Sequence, residues 1–376
     1  MKGTEVVPST LDTTSRSFSR PRTMRAVIVR EPAEAMPLAH EPVPVPQPRP
    51  GQVLVHVMAT TVISSELASR SGVSTANLPL VLGNDFVGIV VEAPSSPGLV
   101  GSRVVGAYGG YGYTRDGAWA DFLVADEADV FPVVTTLDSV SLAAMPGSFT
   151  AASGALRSLG PLGGKSLLIR GGTSGVGLAA ATLAMDAGSR VIATTRDPAK
   201  AARLRDLGIS EVIVDGAGLA SRVRDVVPGG VDLALDLLGV ASLPETLRCA
   251  TEFGVVCLTG LLRDQTNSIR SGVREDRAVP MFPHPMEMIP PTIRLTVGGV
   301  DGTARTPALV QQWVRGIESG RYRMPVDSVF TLDEMPEAHR RRADPKTFGK
   351  IVVLVGEDAP QPSATPTALE TTERQS

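Results

Sequence analysis

The 376-residue sequence predicts an α/β protein of two domains, one mostly β and one a doubly wound parallel sheet flanked by helices. The length is the first reason, because it exceeds what one hydrophobic core usually fills. The second is a series of short β-type runs between residues 79 and 134, punctuated by glycine and proline. The third is a change of rhythm near residue 148, after which apolar runs alternate with stretches of helical period, as in βαβ units.

Composition limits the compartment and the partners. A net charge of −3 gives no basic field, so we expect no nucleic-acid partner and no membrane association. No apolar run reaches ~18 residues, the length that spans a bilayer. Cys249 and Cys257 are the two cysteines, which are too few for a disulfide framework or a four-cysteine zinc site. A cytoplasmic location is therefore expected.

Both chain ends have the composition of disordered arms, residues 1–23 and 357–376. The first arm lacks the apolar core of a secretory signal. Its Arg and Ser content leaves a transit peptide as the alternative, against which Glu5 and Asp12 argue.

In chain order, strand-like runs at residues 24–29 and 53–58 are separated by the proline-rich stretch 41–51. Proline cannot pair in a central strand, so this stretch is predicted to be an extended connector. The runs of the parallel-sheet part are SLLIR, RVIATT, EVIVD, VDLALDLL and VVCLTG. A predicted helix near 309–320 and a final strand near 350–355 end the ordered part.

The stretch IRGGTSGVGLAA has the context of a dinucleotide-binding turn, with a strand before the glycines and a helix after them. Gly175, Gly177 and Ala180 fit the spacing G-x-G-x-x-G/A, and Gly172 lies just upstream. We expect Gly175 to permit the tight turn and Gly177 to let a pyrophosphate approach the helix N-terminus. The second domain is therefore predicted to be a Rossmann domain. The alternative is a glycine-rich βα turn without a ligand.

The end of the second strand predicts which dinucleotide binds. NAD-binding domains place an acidic residue there for the ribose 2′-hydroxyl, whereas this strand ends in Thr194, Thr195 and Arg196. Asp197 precedes a proline and a helical run, so capping the helix explains it. Thr194, Arg196 and Lys200 are predicted to surround a 2′-phosphate, which favours NADPH over NADH. Solvated charges at a helix start are the alternative for either cation.

Motifs along residues 24–355 resemble the medium-chain dehydrogenase/reductase superfamily, specifically its zinc-independent quinone oxidoreductase branch. The similar segments, in the order of the family, are LPLVLGNDFVGIVVE, GAWADFLVA, MPGSFTA, GGTSGVGLAA, GGVDLALDLLG, GVVCLTG and EAHRRRADPKTFGKIVVL. The resemblance implies a GroES-like mostly-β catalytic domain with the Rossmann domain inserted. The expected boundaries are 24–147 for the first part of the catalytic domain, 148–290 for the NADPH-binding domain and 291–356 for the return.

The resemblance also shows departures from the zinc-dependent alcohol dehydrogenases. Asn84 stands at the position of their histidine ligand, and no cysteine precedes Cys249. The four histidines, His40, His56, His284 and His339, have no ligand spacing. Without three protein ligands no Lewis acid acts on an alcohol, so no zinc is expected.

The resemblance implies cofactor contacts at matching positions. The turn residues would hold the pyrophosphate, Thr150 would lie near the nicotinamide, and Lys350 would reach a phosphate or the active cleft. The full expected set is Thr150, Gly172, Thr173, Ser174, Gly175, Val176, Gly177, Thr194, Arg196, Lys200, Gly239, Gly260, Leu261 and Lys350.

On the substrate side, Ile63 occupies the position of a common family asparagine, and Glu66 that of an aspartate. Hydrogen-bond donors for an acceptor oxygen would be Asn84, Tyr108 and Tyr111, with Tyr113 in the same glycine-rich loop. The alternatives are a turn asparagine and tyrosines packed on the domain surface. His284 reads as exposed and His56 as structural.

The expected function is NADPH-dependent hydride transfer to a quinone or an α,β-unsaturated carbonyl, because these acceptors are electrophilic without a metal. The alternatives are a trans-acting enoyl-thioester reductase of fatty acid or polyketide synthesis, and a non-catalytic NADPH-binding protein. The resemblance implies a homodimer through a Rossmann edge strand, either VVCLTG or the neighbouring IRLTVGG.

Overall fold

The computed structural model describes residues 19–32, 38–72, 76–260, 285–299 and 305–356. Most of the predicted N-terminal arm and the whole predicted tail lie outside the described residues. Among the helices of the described residues, none is long and apolar enough to cross a membrane. The cytoplasmic location stays a prediction.

The catalytic domain contains two sheets. The smaller has the order β2-β1-β4, formed by β1 (Thr23–Val29), β2 (His40–Pro44) and β4 (Leu80–Val81). The larger has the order β15-β16-β3-β5-β6-β8, with β7 paired to β3. Its strands are β3 (Gln52–Val62), β5 (Asp85–Glu92), β6 (Arg103–Ala107), β7 (Phe122–Asp126), β8 (Phe131–Pro132), β15 (Val326–Thr331) and β16 (Lys350–Leu354). The helices of this part are α1 (Ser64–Arg70), α2 (Ser139–Ala143) and α10 (Met335–Ala343).

The second domain is a parallel sheet of order β11-β10-β9-β12-β13-β14, a doubly wound arrangement. Its strands are β9 (Ser166–Arg170), β10 (Arg190–Thr195), β11 (Glu211–Val214), β12 (Val231–Asp236), β13 (Ala250–Leu258) and β14 (Arg294–Val297). The helices are α3 (Pro146–Leu159), α4 (Gly175–Asp186), α5 (Ala199–Asp206), α6 (Leu219–Val226), α7 (Leu243–Cys249), α8 (Pro285–Met288) and α9 (Pro307–Glu318). The predicted fold class, a GroES-like domain plus a Rossmann domain, is confirmed.

The C-terminal boundary of the Rossmann domain differs from the prediction. The return was expected at residue 291, but β14 still pairs in parallel with β13. Because β13 pairs with both β12 and β14, the stretch VVCLTG cannot be an edge strand. Of the two predicted edges, the structure places only β14 at the rim, where Val297 is 75% exposed. The homodimer stays a prediction.

Apolar cores cover both faces of the Rossmann sheet and fill the catalytic domain. On one face of the sheet the core is continued by Phe149 against Trp313, and on the other it includes helices α6 and α7. The core of the catalytic domain surrounds Trp119 and Phe86. His56 lies in β3 with its ring 5.0 Å from that of Phe122, as expected for a structural histidine.

Candidate active site in the interdomain cleft

The two domains approach each other where α4 begins. A Cβ added to Gly175 would lie 2.8 Å from Oγ of Ser148, 3.2 Å from Cδ of Lys350 and 3.6 Å from Cε of Met324. The start of α4 therefore faces the start of α3 and of β16. The carboxyl ends of the parallel strands open on the same side, which is where open α/β sheets bind ligands.

The glycine-rich turn has the local geometry of a phosphate site. Ser174 is the N-cap of α4, and its Oγ accepts a hydrogen bond from the amide of Gly177 at 3.1 Å. The left-handed backbone of the turn falls at Gly171, with φ of +95°, rather than at Gly175. A Cβ on Gly177 would lie 2.5 Å from the carbonyl oxygen of Gly171, so this glycine permits close packing within the turn. The remaining N–H groups of the helix start are available to an anion.

The three residues predicted to bind a 2′-phosphate have different surroundings in the structure. Thr194 is 1% exposed, and its hydroxyl accepts from the amide of Gly171 at 3.2 Å. Arg196 is exposed and makes no hydrogen bond or ion pair with any described residue. Asp197 accepts from the amide of Ala199, the first residue of α5, at 3.0 Å. The N-cap itself is Pro198, one residue after the predicted cap, because α5 begins at Ala199.

Lys200 does not lie where the sequence suggested. Its Nζ donates to the carbonyl oxygens of Pro345 and Thr347, at 2.5 and 2.8 Å, in the catalytic domain. Burial lowers its pKa. The predicted contact with a 2′-phosphate is therefore corrected: two of the three ammonium donors already serve a chain segment that lies about 145 residues away.

A buried polar network at the carboxyl end of β12 was not predicted from the sequence. Asp236, fully buried, accepts from the amides of Leu238 and Gly239 at 2.8 and 3.2 Å and from the hydroxyl of Thr246. It thereby fixes the loop containing Gly239, whose φ is +123°. Arg170 joins Thr246 and forms a buried ion pair of 2.9 Å with Asp215. A charge at the end of an apolar strand was the available signal, for instance the arginine of SLLIR.

The floor of the cleft is an ion pair between two strand starts. Lys350 at the start of β16 donates from Nζ to Oδ2 of Asp85, at 2.7 Å, and their side chains are 5% and 1% exposed. Thr61 donates to the same oxygen at 2.9 Å. The other carboxylate oxygen accepts from Nδ2 of Asn84 at 3.0 Å. A Cβ on Gly147 would lie 2.1 Å from this oxygen, so only glycine lets α3 start against the carboxylate.

Asn84 and Tyr108 are brought together, as two of the three predicted donors. Oδ1 of Asn84 accepts from the amide of Tyr108 at 3.1 Å, and Asn84 is 1% exposed. Tyr108 is half-buried and has a φ of +66°, a strained conformation for a tyrosine. Its hydroxyl donates to the carbonyl oxygen of Gly147 at 3.1 Å. Tyr108 therefore presents its phenol at the start of α3.

The third donor, Tyr111, lies in the core instead. It is fully buried, and its hydroxyl donates to Asp129 at 3.3 Å and accepts from the amide of Asp126 at 2.9 Å. Burial raises the pKa of this phenol. The prediction of a catalytic Tyr111 is corrected, because its ring is packed in the core and its hydroxyl is already bonded to Asp129 and Asp126. Tyr113 is hydrogen-bonded to Ser65 at the start of α1.

Glu66 closes the floor from the side of α1. It is fully buried, and its two oxygens accept from the amides of Ile63 and Asn84 at 2.7 and 2.9 Å. Burial raises its pKa to about 8, and the nearby charge of Asp85 acts in the same direction. Ile63 contributes its backbone to this site.

The other predicted residues have these positions. Thr150 is 2% exposed and donates its hydroxyl to the carbonyl oxygen of Pro146. Gly260 lies so close to Leu237 that a Cβ would be 2.4 Å from its carbonyl oxygen. Leu261 and His284 lie outside the described residues.

Within the part of the chain that the structure describes, no three His, Cys, Asp or Glu residues are grouped to hold a metal. The absence of zinc stays a prediction.

Two family models match the chain. Residues 49–135 match the alcohol dehydrogenase GroES-like domain, and residues 207–353 match a model described as zinc-binding dehydrogenase. The two matches cover the larger sheet of the catalytic domain and the second half of the Rossmann domain with the return.

The chain is similar both to characterised protein sequences and to solved structures. A zinc-type alcohol dehydrogenase-like protein of Schizosaccharomyces pombe is 31% identical over 156 residues, 41% of this chain and 47% of that protein. Erythronolide synthase EryA2 of Saccharopolyspora erythraea is 34% identical over 227 residues, 58% of this chain and 6% of that protein. The match thus spans less than half of either relative. A solved NAD-dependent alcohol dehydrogenase superposes with a TM-score of 0.73 at 26% identity, covering 89% of this chain and 100% of that one.

Proposed function

Since the chain belongs to the medium-chain dehydrogenase/reductase superfamily of oxidoreductases, we propose that it is an NADPH-dependent, zinc-independent reductase of quinones or α,β-unsaturated carbonyl compounds. The observation that carries this proposal is the exposed guanidinium of Arg196 beyond β10, combined with an Asp197 carboxylate that is already bound to the amide of Ala199 at the start of α5. A free cation recognises a 2′-phosphate, whereas a ribose hydroxyl needs an acidic acceptor.

The residues present fit a dinucleotide. The start of α4 offers backbone N–H groups to a pyrophosphate, and the loop held by Asp236 lines the far side. When bound, the dihydronicotinamide supplies a hydride to the acceptor. Every other task falls to the protein: the two domains exclude water, and Tyr108 can give its O–H to the acceptor oxygen by exchanging the hydrogen bond that it donates to Gly147.

Zinc independence is supported by the polar contacts of Asn84. Its amide nitrogen donates to Asp85 and its amide oxygen accepts from Tyr108. The nitrogen and the oxygen of its side-chain amide thus connect Asp85 to the backbone of Tyr108, so the residue has a structural role without a metal. An amide is also a poor ligand for Zn²⁺, which prefers thiolate, imidazole and carboxylate.

The test is NADPH oxidation with three classes of acceptor: an ortho-quinone such as phenanthrenequinone, an enone, and an enoyl thioester. We expect NADPH to be oxidised by the quinone or by the enone. Activity should be retained after dialysis against a chelator, in protein shown by metal analysis to contain no zinc. Loss of activity on chelation, with recovery on adding Zn²⁺, would refute zinc independence.

The enoyl-thioester reductase is kept as a second candidate because of the similarity to part of a polyketide-type synthase, erythronolide synthase. It predicts turnover of the thioester well above that of the free enone. A third candidate, a non-catalytic NADPH-binding protein, predicts binding of NADPH with no oxidation by any acceptor.

A further inference from the structure

Tyr108 has a backbone conformation that is rare for a residue with a side chain. Its φ of +66° lies in the left-handed region, which favours glycine. Such a conformation persists only where the surroundings hold it, and it is found most often at functional sites. The next two residues, Gly109 and Gly110, have φ of +71° and +89° and supply no side chains that could direct the phenol. The amide of Tyr108 donates to Oδ1 of Asn84 at 3.1 Å, which is the first of its anchors.

Two arginines from other parts of the chain hold the backbone on both sides of Tyr108. The carbonyl oxygen of Ala107 accepts from Nη1 of Arg305 at 2.5 Å. The carbonyl oxygen of Gly109 accepts from Nε of Arg115 at 2.7 Å. Since the amide of Tyr108 is bound as well, three consecutive residues each have a backbone atom held by a side chain.

Asp129 joins the two arginines. Its Oδ1 accepts from Nη2 of Arg305 at 3.1 Å, and its Oδ2 accepts from Nη2 of Arg115 at 3.4 Å. A Cβ on Gly109 would lie 2.2 Å from that Oδ2, so the loop runs directly against the carboxylate. The hydroxyl of Tyr111 donates to the same oxygen. One carboxylate therefore organises both arginines and the loop between them.

The ion pair of Arg305 with Asp129 is buried, with the side chains 10% and 14% exposed. Arg305 lies just before α9, and 198 residues separate it from Ala107 in the chain. Its Nε is buried and has no hydrogen-bond partner among the described residues. A buried ion pair is often no more stabilising than apolar residues of the same volume. Stability alone does not account for this pair, whereas the need to fix one conformation of the loop does.

Building on the proposed function, in which Tyr108 gives its O–H to the acceptor oxygen, we propose that Arg305 is a positioning residue of the reductase. It acts through the loop rather than on the substrate. By holding the carbonyl of Ala107 against the Asp129 carboxylate, it keeps the backbone of Tyr108 left-handed. The phenol then stays at the start of α3, beside the carbonyl of Gly147. Without Arg305 the strained backbone relaxes and the phenol leaves this place.

A double-variant cycle tests the proposal. Tyr108→Phe removes the hydroxyl, and single-turnover NADPH oxidation by the best acceptor should slow by about 100-fold. Arg305→Met should slow it by about 10-fold, while the Kd of NADPH stays within about threefold. Protein with both substitutions should react as slowly as Tyr108→Phe alone, because Arg305 acts only through the phenol. An unchanged rate in Arg305→Met, a further loss of about 10-fold in the double variant, or a Kd that rises as much as the rate falls overturns the proposal.

Arg315→Met is the matched control, since Arg315 is an exposed arginine of the following helix, α9. Its rate should match that of the wild type. If circular dichroism shows that Arg305→Met does not fold, the cycle is run with Arg305→Lys. Lysine keeps a cation beside Asp129 but lacks the forked geometry that reaches both acceptors, so the same non-additive loss is expected. A wild-type rate in Arg305→Lys, or failure of both variants to fold, overturns the proposal.

A spectroscopic readout separates this inference from the proposed function. The protein has four tyrosines, so labelling with 3-fluorotyrosine gives four fluorine resonances, of which Tyr108→Phe and Tyr322→Phe each identify one. In Arg305→Met the resonance of Tyr108 is expected to shift or broaden. That of Tyr322, which is hydrogen-bonded to Asp186 at the end of α4, should not change. An unchanged Tyr108 resonance overturns the positioning role of Arg305, whatever the rate. Wild-type protein in which no acceptor oxidises bound NADPH overturns the reductase, and the fluorine shift still decides whether Arg305 positions Tyr108.

Discussion

The ammonium of Lys200 donates to the carbonyl oxygen of Thr347 at 2.8 Å, across the boundary between the Rossmann and catalytic domains. The same segment is held by Arg203, whose guanidinium lies 4.2 Å from the ring centre of Phe348. This segment runs directly into Lys350. Helix α5 therefore has two separate tasks: Arg196, just before it, faces solvent, and the helix itself holds the two domains together.

Arg196→Ala is expected to abolish the preference for NADPH. Removing a charge-assisted contact to phosphate costs about 1.5–3 kcal/mol, so the KM for NADPH should rise by about 10- to 100-fold, while that for NADH stays near its wild-type value. Steady-state kinetics with both cofactors measure this. Equal losses for NADPH and NADH would show that Arg196 does not recognise the 2′-phosphate.

Lys200→Met serves as the contrasting variant. Because its ammonium is used by the carbonyl oxygens of Pro345 and Thr347, the ratio of the two cofactors should be unchanged. The free energy of unfolding in urea should fall by about 1–3 kcal/mol, since two carbonyls lose their charged donor. A selective loss of NADPH binding with unchanged stability would contradict this placement.

Gly147→Ala is expected to disrupt the floor of the cleft. The new Cβ would lie 2.1 Å from Oδ1 of Asp85, so either α3 or the carboxylate must shift. We expect a loss of about 1–3 kcal/mol in unfolding free energy and a fall in turnover. Gly98→Ala is the control, because a Cβ there meets no atom within 4 Å. Equal stability of the two variants would contradict the close approach.

The buried His339 side chain is expected to lower the free energy of unfolding at acid pH. Burial, and next the charge of Arg70, lower its pKa from 6.5 to about 4, and its ring lies edge-on to Trp119. The unfolded chain therefore binds more protons than the folded one between these values, and the native state loses about 3 kcal/mol as pH falls from 6.5 to 4. Urea unfolding at several pH values tests this. His339→Phe should flatten the dependence in this window, and an unchanged slope would contradict it.

The buried Glu66 carboxyl is expected to lower the free energy of unfolding as the pH rises. Its pKa is raised, chiefly by burial, from 4.5 to about 8. The folded state holds the proton that the unfolded state has lost, so this contribution is fully present below pH 4.5 and disappears as pH rises through 8. Glu66→Gln should reduce the fall in unfolding free energy between pH 5 and 9. The same fall in both proteins would mean that Glu66 is ionised in the native state.

Local patterns were sufficient for the parts of the site that are local in sequence. The turn from Gly171 to Gly177 follows from a strand, glycines and a helix within a short stretch, and Ser174 caps that helix as its residue type favours. The two-domain architecture follows from strand rhythm in the same way. The motif alone did not identify the residue of the turn with a left-handed backbone, which is Gly171.

Contacts between distant segments could not be deduced. Asp85 and Lys350 are 265 residues apart, so no spacing rule links them. Lys200 had the composition of a phosphate ligand, but packing directs it to backbone carbonyls of the other domain. Tyr108 and Tyr111 were equivalent in the sequence, and only the path of the loop turns one toward the cleft and the other into the core.

The most direct test of the reductase is transfer of an isotope label from the cofactor to the acceptor. The protein is mixed with NADPH deuterated at C4 of the nicotinamide, separately in each of the two faces, and with an enone. We predict one deuterium at the β-carbon of the saturated ketone, detected by mass spectrometry and NMR, from one of the two labelled cofactors. An enone and a quinone both left unreduced, in protein that binds NADPH tightly, would contradict the central claim.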